Sequence, residues 1–297
     1  MKIYLENVNL GSTNGPNSFA NKLMPHLSNM GHTFVSPVEA DLSLCFIESY
    51  NNLKIPRILR LDGIYYNTRF DYMSQNKNIR KTHDDARAII YQSEYGKELI
   101  TAYFGEHENG KVIYNGADMP SIEKAVPIQN EDPDRTIWAC AASWRPHKRL
   151  SENIRYFLEH RGSDDILVVA GETEKIVKDP NIHYIGNLTQ NNLYSLYKSS
   201  KFFIHLGWLD CCPNVVVDAR ACGCQIICSS SGGTKEVAGK GAIIIEEEEW
   251  DFKPLDLYNP PKLDFQKKIY NSLDSVYDIK EIAKEYSDFM EENVCFV

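Results

Sequence analysis

No stretch of this 297-residue chain approaches eighteen apolar residues in a row, so nothing in it reads as a membrane-spanning helix. The start, MKIYLENVNLG, carries Lys2 and Glu6 where a secretory signal would place a charged patch and then a long apolar core. No signal peptide is expected. Cys295 stands third from the end, so a four-residue prenylation box is missing too. Positive charge is not in excess: 32 Lys+Arg face 41 Asp+Glu, a net charge of -9, which argues against broad nucleic-acid binding. The chain has 8 cysteines but no pair of C-x2-4-C knuckles, because Cys211 and Cys212 are adjacent and Cys222 and Cys224 flank one residue. Neither a zinc site nor a disulfide framework is expected, and reduced thiols packed as small apolar groups in the cytoplasm fit better. The run Asp132–Asp134, "DPD", mimics a metal-binding acidic motif but falls in a polar linker, and we discount it. There is no internal repeat.

What is present is an ordinary soluble composition, 43% apolar and 25% charged, in a chain long enough for two domains. Residues 1–125 hold 13 Lys+Arg against 14 Asp+Glu, which leaves 32 − 13 = 19 against 41 − 14 = 27 for the rest. The near-neutral front half is the better suited to an acidic or membrane-borne partner. Short β-rich runs recur in both halves, first "KIYLENVNL", "DLSLCFI", "RILRL", "AIIYQS" and "KVIYNG". The second series is "TIWACAAS", "DILVVAGE", "IHYIGN", "KFFIHLG", "QIICSSS" and "GAIIIEE". Helix-like spacing separates them, which predicts two parallel sheets covered by helices. The polar stretch "AVPIQNEDPDR" between Ala125 and Arg135 reads as the linker, and the text from Pro260 to the end reads as helix. The acid run Glu246–Glu249 reads as a solvated loop edge. Two domains of this kind bind ligands at the carboxyl ends of their strands, so a cleft between them is the expected site.

The segment "LDCCPNVVVDARACGC" concentrates the chemistry. Pro213 suits a helix start and Gly223 a helix stop, so three valines that would favour a strand are expected to lie in a short helix. The N-H groups near Asn214 and Val215 then form an anion site at a helix N-terminus. Asp210 precedes that helix and Asp218 lies inside it, eight positions on. A capping role for Asp210 and an exposed helix position for Asp218 are the plainer alternatives.

The run from "IHYIGN" to "SGGTKEV" resembles family 4 of the retaining glycosyltransferases, whose fold is GT-B. The resemblance is carried by two acids eight apart, "ACG", the strand "CQIIC" and "GGTKE" with Glu236, although aspartates stand where the family has glutamates. The resemblance implies two Rossmann-like parallel-sheet domains facing a cleft: residues 1–125 on the acceptor side, 135–260 on the donor side, and 261–297 as C-terminal helices packing back. It implies a metal-independent transfer from a nucleotide diphosphate sugar to a hydroxyl of a glycan or lipid-linked acceptor, with no cofactor. The expected location is cytoplasmic, with peripheral membrane contact.

The segment "CAASWRPHKRL" resembles the family's opening of the second domain, which makes Arg145 and Lys148 the cations for the diphosphate; a surface basic cluster of His147, Lys148 and Arg149 is the alternative. Asp210 would hold the donor sugar, Asp218 the ribose, and the N-H groups at Asn214 and Val215 the diphosphate or sugar. His205, at a strand end, would add a hydrogen bond to the donor; a satisfied strand-end histidine is the plainer alternative. In front, "GSTNGPNSFANKL" resembles the family's Gly-rich loop, so Gly15 is expected to face the donor, with Asn17 and Asp62 toward the acceptor; a turn-forming Asp before Gly is the alternative for Asp62. Glu94 and Asn115 are expected in structural roles. Two other functions fit the same residues: a binding protein with a decayed site, or a nucleotide-sugar epimerase.

Overall fold

The structure is a computed structural model that describes residues 1–12, 14–130, 132 and 134–294; Pro133 of the "DPD" run and Cys295 lie outside the described residues. The chain divides into two compact units. Unit 1 comprises residues 1–116, 252–255 and 276–297, and unit 2 comprises 117–251 and 256–275. The polar stretch after Ala125 therefore belongs to unit 2.

Unit 1 alternates strand and helix: β1 (Lys2–Glu6), α1 (Gly15–Asn29), β2 (Thr33–Phe34), β3 (Leu42–Phe46), β4 (Arg57–Leu61), α2 (Tyr72–Asp84), β5 (Ala88–Tyr91), α3 (Glu94–Phe104) and β6 (Gly110–Val112). The six strands form a sheet of order β2-β1-β3-β4-β5-β6, parallel throughout. Apolar runs such as Leu42–Phe46 are buried along their whole length, as strands covered on both faces must be. The core joins Ile3, Leu44, Ile58 and Ile90 of the sheet to Phe19 and Leu23 of α1 and to the last helix of the chain.

Unit 2 contains α4 (Met119–Lys124), β7 (Ile137–Ala141), α5 (Leu150–His160), β8 (Ile166–Ala170), β9 (Ile182–Gly186), α6 (Gln190–Ser199), β10 (Phe202–His205), α7 (Asn214–Ala221), β11 (Gln225–Ser229), α8 (Thr234–Val237), β12 (Ile243–Ile245) and β13 (Lys268–Tyr270). Its sheet order is β13-β12-β11-β10-β7-β8-β9, and only β13 runs antiparallel. After β7 the chain builds outward through β8 and β9, then returns with β10 to the other side of β7. The loops leaving β7 and β10 consequently diverge side by side, which is the topological switch point where open sheets of this kind take ligands.

The text after Pro260 is not continuous helix. Lys268–Tyr270 pairs as β13, an exposed three-residue edge strand, and the chain ends in one helix, α9 (Ile279–Val294), which belongs to unit 1. Ile279, Ile282, Tyr286 and Phe289 recur at helical spacing and enter the unit 1 core. No helix among the described residues is long and apolar enough to cross a membrane.

Candidate active site

The β7 loop ends in a turn over Pro146–Lys148, closed by Lys148 N to Arg145 O at 2.8 Å, after which Arg149 takes a left-handed conformation (φ 51°) and α5 begins. That backbone carries strain for a residue with a Cβ, so its surroundings must hold it. They do so through the guanidinium, which makes a two-pronged ion pair with Glu247 at 2.7 and 2.6 Å and donates to Pro261 O at 2.9 Å. Arg149 is buried, not part of a surface basic cluster. The Glu247 side chain is only 6% exposed and accepts from Ser229 and Ser231, so one glutamate of the acid run is an internal anchor, not a solvated edge.

Two links stitch this loop to the one leaving β10. Trp208 N donates to His147 O at 2.7 Å. Buried Asn153 donates from Nδ2 to Lys148 O at 3.3 Å and accepts at Oδ1 from Leu206 N at 2.9 Å. With both backbones pinned, the Lys148 ammonium meets Asp210 Oδ2 in a close ion pair. The same oxygen accepts from His205 Nε2 at 3.0 Å. A third segment completes the seat: Gly233 N donates to Asp210 O at 2.8 Å, and Gly232 (φ +80°) lies so near that an added Cβ would be 2.5 Å from Asp210 O. The first glycine of the "GGTKE" motif, Gly232, is thus required where it stands.

Burial alone would raise the Asp210 pKa, but the Lys148 charge and the His205 bond outweigh it and hold the carboxyl far below the usual carboxylate range. Burial lowers the His205 pKa, so the imidazole is neutral at pH 7 with its Nε2 proton on Asp210. His147 is pushed down to about 4 by burial and then by the neighbouring Lys148 charge, which makes it neutral too. At neutral pH the cations of the loop are therefore Arg145, Lys148 and the internal Arg149. Arg145 is exposed and lines a cavity of about 660 Å³ at the carboxyl ends of β7, β8 and β9, with Trp144, Glu172, Thr173 and Tyr184 among its walls.

The other expected residues fall into separate groups. Asn214 and Val215 open α7, which has Pro213 as its cap residue and no side-chain cap hydrogen bond, and Gly223 (φ 95°) follows the helix end. Asp218 is buried on α7 and accepts from Gln190 Nε2 at 3.1 Å, so it is not an exposed helix aspartate. In unit 1, Gly15 is the first residue of α1, and buried Asn17 accepts from Asn9 N at 2.9 Å, bracing the loop after β1. Asp62 follows β4 and pairs with the buried Arg60, whose guanidinium also reaches Asn115 Oδ1 at 2.8 Å and Tyr286 Oη at 3.1 Å. The thiols pack: Cys224 Sγ donates to Tyr197 O at 3.1 Å, and burial pushes Cys222 and Cys228 up to about 12. Among the described residues no group of three His, Cys, Asp or Glu could hold a metal ion.

With this geometry in hand, the comparisons with known proteins are specific. Residues 121–252, which span the β7 and β10 loops and the glycine pair, match the family model "Glycosyl transferases group 1". Unit 2 is a group 1 glycosyltransferase domain. By class the chain is therefore a glycosyltransferase. Solved structures similar to the whole glycosyltransferase include Anabaena HepE (Alr3699) in complex with UDP-glucose, at 12% identity and TM-score 0.69 over 98% of this chain and 100% of that one. Sucrose-phosphate synthase from Thermosynechococcus elongatus has 11% identity and TM-score 0.66 over 98% and 90%. WaaG, a glycosyltransferase involved in lipopolysaccharide biosynthesis, has 10% identity and TM-score 0.63 over 99% and 94%. These likenesses show the fold, GT-B with two parallel-sheet α/β units. A search of curated protein sequences finds no match.

Sequence reasoning missed Arg149, Glu247, Asn153 and Gln190. Only Arg149 carried a signal, its place beside Lys148; the other three depend on partners that folding brings from at least five residues away and up to 98.

Proposed function

We propose that this glycosyltransferase is a retaining enzyme of the family 4 type, moving a sugar from a nucleotide diphosphate sugar to a hydroxyl of a glycan or lipid-linked acceptor without a metal ion. The observation that carries this reading is the Lys148–Asp210–His205 contact at the switch point of a group 1 domain, with Arg145 at the adjacent cavity. The bond from the anomeric carbon to the diphosphate breaks, and the bond to the acceptor oxygen forms on the same face of the sugar. The acceptor proton passes to the departing phosphate oxygen, so the protein supplies no nucleophile.

Its own residues orient and neutralise charge. Lys148 and Arg145 meet the negative charge that develops on the diphosphate, assisted by the first N-H groups of α7 at Asn214 and Val215. Asp210 keeps Lys148 aimed through Oδ2 and offers Oδ1 to a sugar hydroxyl, while His205 fixes the carboxylate plane. Asp218 receives the ribose. In unit 1, Gly15 serves the donor, and Asn17 and Asp62 serve the acceptor. A nucleotide-sugar panel tests the reading: NMR of the product should show the donor's anomeric configuration retained, and EDTA should leave the rate unchanged. An inverted product or EDTA-sensitive turnover would overturn it, and a converted sugar without acceptor would point to an epimerase.

A further inference from the structure

Asp218 is 3% exposed, and its carboxylate accepts a hydrogen bond from another helix: Gln190 Nε2 lies 3.1 Å from Oδ2. Gln190 is the first residue of α6, and Thr189 caps that helix by accepting from Asn192 N at 3.3 Å, so the backbone under the glutamine is fixed. Its side chain shares a helix face with Tyr194 and Tyr197, four and seven residues on, and this face packs against α7. Both tyrosines are buried and lie within electrostatic reach of Asp218. A buried carboxylate has few rotamers, and an amide bond to one oxygen favours one orientation of the pair. An aspartate also reaches one methylene less far than a glutamate, so its direction matters more.

We infer that Gln190 is a positioning residue for nucleoside recognition: its amide orients the Asp218 carboxylate toward the ribose hydroxyls of the donor. This rests on the assignment of Asp218 to the ribose, made under the proposed function. Gln190 does not touch the reacting atoms. It acts through Asp218, and its loss should weaken binding only where a ribose hydroxyl is present.

The test compares affinity for the tightest binder among UDP, GDP and ADP with affinity for its 2′,3′-dideoxy counterpart, by calorimetry on the full chain. Wild type should prefer the ribose form by roughly 10-fold to 100-fold, the range expected for hydrogen bonds to a charged acceptor. Gln190→Met keeps volume and removes the donor. It should cut that ratio roughly tenfold while the dideoxy affinity stays within about twofold of wild type, as hydrogen-bond selectivity requires. Gln190→Ala should behave alike. If Asp218→Asn collapses the ratio and neither glutamine variant does, the inference about Gln190 is wrong and the ribose assignment stands. If Asp218→Asn leaves the ratio intact, the ribose assignment itself fails. Equal losses for both nucleotides in the glutamine variants would mean a structural role only, and no binding of any diphosphate would overturn both.

Discussion

Each unit carries a buried arginine near the carboxyl edge of its sheet, and the two are used differently. In unit 1, Arg60 lies under the rings of Phe19 and Phe46, with its charge 4.3 and 5.0 Å from their centroids, and pairs with Asp62, the candidate functional acid itself. In unit 2 the work is divided: Arg149 is spent on the internal Glu247, and the adjacent Lys148 takes the candidate functional acid Asp210. The structural cation of unit 2 holds the strained turn, which leaves the candidate functional cation Lys148 half-buried and paired with Asp210. In unit 1 one guanidinium does both jobs, so Asp62 faces a charge that is already committed to the core. Under the proposed function, the difference makes unit 2 the one suited to meet a developing negative charge.

The largest effect should come from the structural cation. Arg149→Met leaves Glu247 buried without its partner, and unfolding in urea should show a loss of about 3–5 kcal/mol, the usual cost of breaking a buried pair. Arg60→Met leaves Asp62, which is 21% exposed and can take water, so its loss should be smaller, about 2–3 kcal/mol. Equal losses would erase the distinction between the two arginines. Next, Asp210→Ala should lower donor turnover about 100-fold at an unchanged melting temperature. Asp62→Ala, by contrast, should raise the acceptor KM and leave slow donor hydrolysis intact. A donor-side loss in Asp62→Ala would reverse the roles of the two edges.

The smallest effect is on pH. His147 has its pKa lowered to about 4, so between about pH 6.5 and that value the unfolded chain binds a proton that the folded chain refuses. Stability therefore falls as pH drops through this window, by about 1 kcal/mol after allowing for partial exposure. His147→Gln should reduce the difference between urea midpoints at pH 7 and pH 5, and buried His205, His32 and His83, all shifted in the same direction, should contribute to the remaining slope. Unit 1 substitutions should leave the unit 2 histidine contribution unchanged.

Much of the architecture was legible because parallel strands buried on both faces read as short apolar runs, and β1, β3 to β6 and β7 to β12 all fall on such runs. The helix at Asn214–Ala221 was legible against its three valines because Pro213 and Gly223 bracket it. β13 was not, since three exposed residues at a sheet edge leave no burial pattern to read. Motif spacing pointed to Asp210 and Lys148, and folding does bring them together. Spacing was silent on Glu247, because nothing in four consecutive glutamates tells which one meets an arginine 98 residues earlier. It was equally silent on Gln190, an ordinary polar residue at a helix start until α7 is packed against it.

The central claim is that Lys148, held by Asp210 at the β7–β10 switch point, neutralises the leaving diphosphate. The most direct test is release of nucleoside diphosphate from UDP-, GDP- and ADP-sugars by wild type and Lys148→Ala at saturating donor, with melting temperatures measured alongside. The account predicts that wild type consumes one of these donors and that Lys148→Ala is about 10²- to 10³-fold slower while equally folded. Wild-type-like release by a folded Lys148→Ala would contradict it.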